Sequence, residues 1–169
     1  AVVESALVNV IRSKAGAVGL WQFMYNTGKY LGMHIDSYVD QRCDPIVSTK
    51  TAAIYLEYLY NLYDDWYMAL AAYNAGPGNV NKAIRRSGGK KTYWEISKYL
   101  PRETRSYVPA FIAVNYLMNH LDDHNIVAKI SKYNYVDIDT LHLKKAVRFD
   151  QISEVICMPI DTLKFLNPQ

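Results

Sequence analysis

The chain has 169 residues, a net charge of +3 and 21% charged against 50% hydrophobic residues. That length suits about one domain with a small appendage, and the hydrophobic share excludes wholesale disorder. The largest basic clusters, Arg85-Arg86 and Lys90-Lys91, are too sparse for a nucleic-acid patch, and no run approaches the ~18 apolar residues of a membrane span.

No signal-peptide pattern opens the sequence, which begins inside an apolar segment, so its first helix is expected to be truncated. Residues 1–11 read as the end of that helix, with Val3, Leu7 and Val10 at helical spacing. Small residues from Ser13 to Gly19 form a turn whose glycines permit close backbone approach. A second short helix is expected from Leu20 to near Gly28. Residues 32–47 read as an irregular loop whose Asp36, Asp40 and Asp44 lack the glycine and terminal glutamate of a calcium loop. Ser48 is the expected N-cap of a helix to Tyr63, with Ala52, Tyr55, Leu56 and Leu59 facing inward.

Asp64 or Asp65 caps the next helix, Trp66 to Ala75, which Gly76-Pro77-Gly78 stops. Another runs from Asn79 to Arg86. Thr92 and Glu95 form a capping box opening a short helix to Tyr99. Pro101 suits the first turn of a long helix through His120, kinked at Pro109. Up to this point the pattern is all-α. Beyond Tyr133 the texture changes: alternation from Tyr135 to Leu143 predicts a strand, followed by short helices at 150–156 and 160–166.

The chemistry centres on Glu4, whose neighbours Val2, Val3, Ala6, Leu7 and Val8 are apolar. Desolvation there raises a carboxyl's pKa, so the group can hold a proton near neutral pH, as a general acid must. The competing reading is a helix glutamate facing water. The 15 tyrosines and 3 tryptophans suit stacking on sugars as well as core packing. Cys43 and Cys157 are far apart and read as unpaired. His34, His120, His124 and His142 have no ligand or triad company and are assigned no role.

Four segments in order resemble the signatures of the lytic transglycosylases: Glu4-Ser5; Ala15-Gly16-Ala17 with Gly19-Leu20-Trp21-Gln22-Phe23-Met24; Ala72-Tyr73-Asn74-Ala75-Gly76-Pro77-Gly78-Asn79-Val80; and Glu103-Thr104-Arg105-Ser106-Tyr107-Val108-Pro109. The resemblance is to the membrane-bound D type of lytic murein transglycosylase. It implies a mainly α, lysozyme-like (SLT) helical domain over residues 1–126, with a small α+β, LysM-like segment over 133–169. The tail carries that second likeness in Asp139-Thr140-Leu141, Gln151–Ile156 and Leu163–Pro168. It departs in stopping at Gln169, before a closing strand, and in having Cys157 where glycine is common.

The implied substrate is the glycan strand of peptidoglycan, cut between N-acetylmuramic acid and N-acetylglucosamine. Most glycosidases use two carboxylates. With one carboxylate counted in a motif, the resemblance implies Glu4 as acid and then base, assisted by the substrate's N-acetyl group, ending in a 1,6-anhydro ring. Ser13, Gln22, Tyr73, Asn74 and Tyr107 are the implied substrate-binding residues, while Trp21, Phe23 and Met24 read as core. No metal and no organic cofactor are implied. The expected setting is the bacterial envelope, in the periplasm, as a monomer anchored to membrane only through chain outside this sequence. Two alternatives stay open: a goose-type lysozyme-like hydrolase using Asp36, Asp40 or Asp44 to hold a water, and a non-catalytic peptidoglycan-binding protein.

Overall fold

The structure, a computed structural model, describes residues 1–127, 129 and 138–168. They fall into two compact units, Ala1–Asn119 and His120–Pro168. In the first unit, α1 (Val2–Ser5) and α2 (Tyr25–Tyr30) precede α3 (Pro45–Tyr63), α4 (Trp66–Ala75), α5 (Pro77–Arg86), α6 (Tyr93–Ile96) and α7 (Arg102–Asn119).

The centre of this unit is α4. Met68 to Ala72 are five consecutive buried residues, so the helix is apolar on every side and must be surrounded. It packs against α3, α5, α6 and α7, with Leu59, Val80, Ala83, Tyr93, Ile96 and Val108 closing the core around it. Asp65 caps its start by accepting from the Met68 amide, and Gly76 at φ 82° ends it. Pro77 then opens α5 at once, two residues earlier than the sequence suggests, because a proline is suited to the first helical turn.

A second cluster, Phe23, Met33, Ile35 and Ala52, fastens the first forty residues onto α3. Arg42 lies behind it, buried, with its guanidinium on both carboxylate oxygens of Asp40 and on the carbonyls of Phe23 and Gly16. Burial disfavours the Asp40 carboxylate, but Arg42 outweighs it and holds the pKa below the usual range. Gly19 passes against the Arg42 carbonyl so closely that a Cβ there would lie 1.8 Å from the oxygen.

Several expected elements differ. Only Val2–Ser5 of the first eleven residues is helical. Ala6 and Leu7 take left-handed φ of 49° and 66°, turning the chain so that Ile11 accepts from the Gly19 amide; Leu7 and Val10 end up exposed. The helix expected from Leu20 starts at Tyr25, since Gly19 (φ 86°) and Gln22 (φ 51°) cannot lie in a right-handed helix. Gly28 lies within α2, where a Cβ would press on Ile35. The third helix begins at Pro45 with Asp44 as its cap, and Ser48 is an interior residue bonded back to the Asp44 carbonyl. At Thr92 the hydroxyl donates to the Glu95 carboxylate in place of a backbone cap.

In the second unit α8 (Phe149–Ile156) and α9 (Ile160–Leu166) pack on each other, close to the predicted spans. Of the predicted strand, residues 135–137 lie outside the described residues, and 138–143 form no ladder. Cys157, at φ 53°, occupies the left-handed position that ends α8, the conformation in which glycine is favoured. Cys43 and Cys157 are both free thiols.

The close approach at Gly19 separates two glycine substitutions. Gly16 also has positive φ (88°) but open space at its Cβ, so Gly16→Ala should cost about 1 kcal/mol of backbone strain. Gly19→Ala should cost at least about 3 kcal/mol, because strain is joined by a backbone clash. Urea denaturation of the two variants checks this; equal midpoints would show that the Arg42 contact yields easily.

Candidate active site

A cleft of about 630 Å³ opens on the first unit, and the implied acid and substrate-binding residues all line it: Glu4, Ser13, Gln22, Tyr73, Asn74 and Tyr107. Six segments contribute: α1, the loop from Ser13 to Met24, α2 through Thr27, α3 through Tyr55, the C-terminal end of α4, and α7.

Glu4 is half-buried. Burial raises its pKa above the ordinary glutamate value, Tyr107 works against that by donating toward the carboxyl, and the charge of Glu103 adds to the rise. The Tyr107 hydroxyl itself is pushed far up by burial and by Glu4, so it stays a neutral donor. Beside Glu4, buried Ser5 donates to the Leu20 carbonyl at 2.8 Å and ties α1 to the loop.

Within the loop, Gly19 to Gln22 form a four-residue reversal closed by reciprocal Val18–Phe23 backbone bonds of 3.1 Å. Gln22 stands in it with left-handed φ, its amide nitrogen donating to Gly19 (2.8 Å) and Ile11 (3.2 Å) carbonyls. Its donors are thus committed to the loop, leaving Oε1 as the group for a ligand. Ser13 accepts from the Ala17 amide at 3.0 Å, which leaves its hydroxyl proton available. Tyr73 donates to the Trp21 carbonyl at 2.9 Å and packs against Trp21, Phe23 and Tyr55; burial and the Glu4 charge raise its pKa strongly. It therefore offers the cleft a ring edge more than a hydroxyl. Asn74 accepts from Thr104 at 2.8 Å.

Two residues were missed. Met24 lies on the cleft wall and is exposed, whereas Phe23 reaches the same wall from the core and is buried. Glu103 is a second carboxylate in the cleft, and it belongs to the same α7 motif as Tyr107. Its place one turn before that tyrosine, on the same helix, is the signal that could have found it. The aspartates offered for a water-holding role are not on the cleft lining. Asp36 accepts from the Tyr38 and Val39 amides, Asp40 pairs with Arg42, and Asp44 caps α3. Among the described residues no group of His, Cys, Asp and Glu is arranged to hold a metal.

The family model of the transglycosylase SLT domain matches residues 1–96. The chain belongs to that family. The tail, residues 137–169, matches the LysM-like domain of lytic transglycosylase MltD. The SLT-domain chain is 30% identical to membrane-bound lytic murein transglycosylase D of Escherichia coli (strain K12) over 170 residues, 98% of this chain and 37% of that protein. Soluble lytic murein transglycosylase of the same strain is 33% identical over 116 residues, covering 65% and 18%. The crystal structure of the 70 kDa soluble lytic transglycosylase from Escherichia coli superimposes with a TM-score of 0.51 at 33% identity, over 63% of this chain and 18% of that one. The fold is thus the helical, lysozyme-like one expected. The chain spans little more than a third of the length of the first of these relatives.

Holding Glu4 in this SLT cleft costs the fold something once the group ionises. With the folded pKa raised, the stability of the protonated form is fully present below the unfolded value of 4.5 and is lost as pH rises through the folded value. Glu4→Gln should therefore melt above wild type at pH 7, with the gap closing below pH 4.5. Calorimetry at the two pH values tests this, and a variant less stable than wild type at neutral pH would contradict a desolvated carboxyl.

Proposed function

We propose that this cleft cleaves peptidoglycan glycan strands by lytic transglycosylation, with Glu4 as both acid and base. The observation that carries the reading is a half-buried carboxyl of raised pKa sharing one cleft with Gln22, Asn74 and Tyr107. Neutral Glu4 protonates the oxygen leaving the N-acetylmuramic acid C1, while that sugar's acetamido oxygen closes on C1 and takes up the positive charge. Glu4, now a carboxylate, removes the proton from the C6 hydroxyl. The C6 oxygen then displaces the acetamido group from C1, leaving a 1,6-anhydro end and a neutral acid, without water. The steps need neither metal nor organic cofactor.

Residues 1–126 are the catalytic domain in this reading and 133–169 a LysM-like segment. The protein acts as a monomer in the periplasmic envelope. Among the described residues no helix is long and apolar enough to cross a membrane.

A second reading, hydrolysis, is favoured by one observation. Glu103 gives the cleft the second carboxylate that a positioned water requires. Mass spectrometry of digested sacculi separates the two: anhydro ends mean transglycosylation and reducing ends mean hydrolysis. Wild type should release anhydro products, and Glu4→Gln should release at least about a hundredfold less. A binding protein without catalysis would give neither product and an undiminished effect from Glu4→Gln.

Glu103→Gln should keep the anhydro product. Because the Glu103 charge raises the Glu4 pKa, its removal should move the alkaline limb of kcat/KM to lower pH. A switch in product type, or a limb moving upward, would transfer the base role to Glu103.

A further inference from the structure

We propose that Thr104, which is not on the cleft lining, is a positioning residue that fixes the orientation of the Asn74 amide so that its two N–H donors face the glycan. The inference rests on the reading of the cleft as a glycan site.

Asn74 sits at the last turn of α4, half-buried on the cleft wall. A primary amide has two nearly isosteric faces, an acceptor and a pair of donors, and only its surroundings choose between them. Here the choice is made from behind. The Thr104 hydroxyl donates to Asn74 Oδ1 at 2.8 Å, across thirty residues of sequence. Thr104 is 1% exposed, so this bond is shielded from competing water. With Oδ1 held, amide planarity sends Nδ2 the other way, and no described residue accepts from it. Sugar hydroxyl and acetamido oxygens are acceptors, so the donor face is the useful one.

The support of Thr104 is itself built. Fully buried Tyr93 donates to the Arg105 carbonyl at 2.8 Å and approaches that of Thr104 at 3.4 Å, fixing the first turns of α7. Thr104 and Tyr107 are three residues apart and share one helix face. The same turn therefore sets both the tyrosine that acts on Glu4 and the amide beside it.

The test compares Thr104→Val, which keeps the shape and removes the hydroxyl, with Thr104→Ser, which restores it. Turnover of sacculi is read together with affinity for the N-acetylglucosamine tetramer, measured calorimetrically in the Glu4→Gln background. Thr104→Val should lower kcat/KM and tetramer affinity by about tenfold each, and Thr104→Ser should recover most of both. Because Thr104 acts through Asn74, Thr104→Val should cost nothing further in an Asn74→Ala background. An unchanged Thr104→Val, or an equal loss with and without Asn74, overturns the proposal.

If Thr104→Val does not fold, Asn74→Asp decides. It keeps the acceptor for Thr104 and replaces the donors, so native melting with lost affinity supports the proposal, and wild-type affinity refutes it. Tetramer binding without any release from sacculi by wild type would sink the enzymatic reading alone. Absence of both would sink the two together.

Discussion

A carboxyl can be kept partly out of water only where neighbouring groups hold the space around it fixed. In this molecule the neighbourhood of Glu4 is assembled from segments more than a hundred residues apart, and α1, which carries it, is a four-residue helix with little stability of its own. What holds it is Ser5, whose hydroxyl reaches the Leu20 carbonyl fifteen residues on. The raised pKa of Glu4 is thus a property of the loop as much as of the glutamate.

That loop has an unfavourable backbone angle at Gln22 and a glycine pressed on another backbone. Side chains from elsewhere stabilise it. Ser5 binds the Leu20 carbonyl, Tyr73 the Trp21 carbonyl, and Thr49 accepts from the Trp21 indole at 2.8 Å. Arg42 covers the far side through Phe23 and Gly16. Each clamp comes from a different element, so distortion of any one reaches the cleft through the shared loop. The Arg42–Asp40 pair matters here because removing Asp40 would leave the buried Arg42 charge without its carboxylate.

The spans of the core helices were legible, and α4 carried its own punctuation in its aspartate cap and in Gly76 at its end. The starts of α3 and α5 were not, because Asp44 read as loop and Pro77 as part of a stop. Residues 1–30 were misread because helical spacing at Val3, Leu7 and Val10 says nothing about φ, and no glycine marks the left-handed turns at Ala6, Leu7 and Gln22. The residues implied by the family resemblance all line the cleft, yet the bonds that occupy them were not legible. Tyr73 and the Gln22 donors turn out to serve the loop, and only coordinates distinguish a hydroxyl bonded to a carbonyl from one offered to a sugar. Glu103 escaped because a charged residue at the start of a helix has an adequate explanation in solvent.

Glu103 also shapes the choice between the two glycosidic routes. A water-activating base must lie on the cleft, and the carboxylate of Glu103, one helical turn before Tyr107, meets that condition. The same charge, however, raises the proton affinity of Glu4 and so improves it as an acid at neutral pH. One carboxylate can assist the other without touching the substrate. Geometry then decides: inverting hydrolysis needs room for a water opposite the leaving group, whereas the intramolecular route needs the C6 hydroxyl turned toward the single buried acid. In the proposed function, a half-buried carboxyl with a neutral tyrosine donating toward it serves the intramolecular route. There the acid must give and take back one proton at the same place, and a fixed, water-poor surrounding serves both transfers.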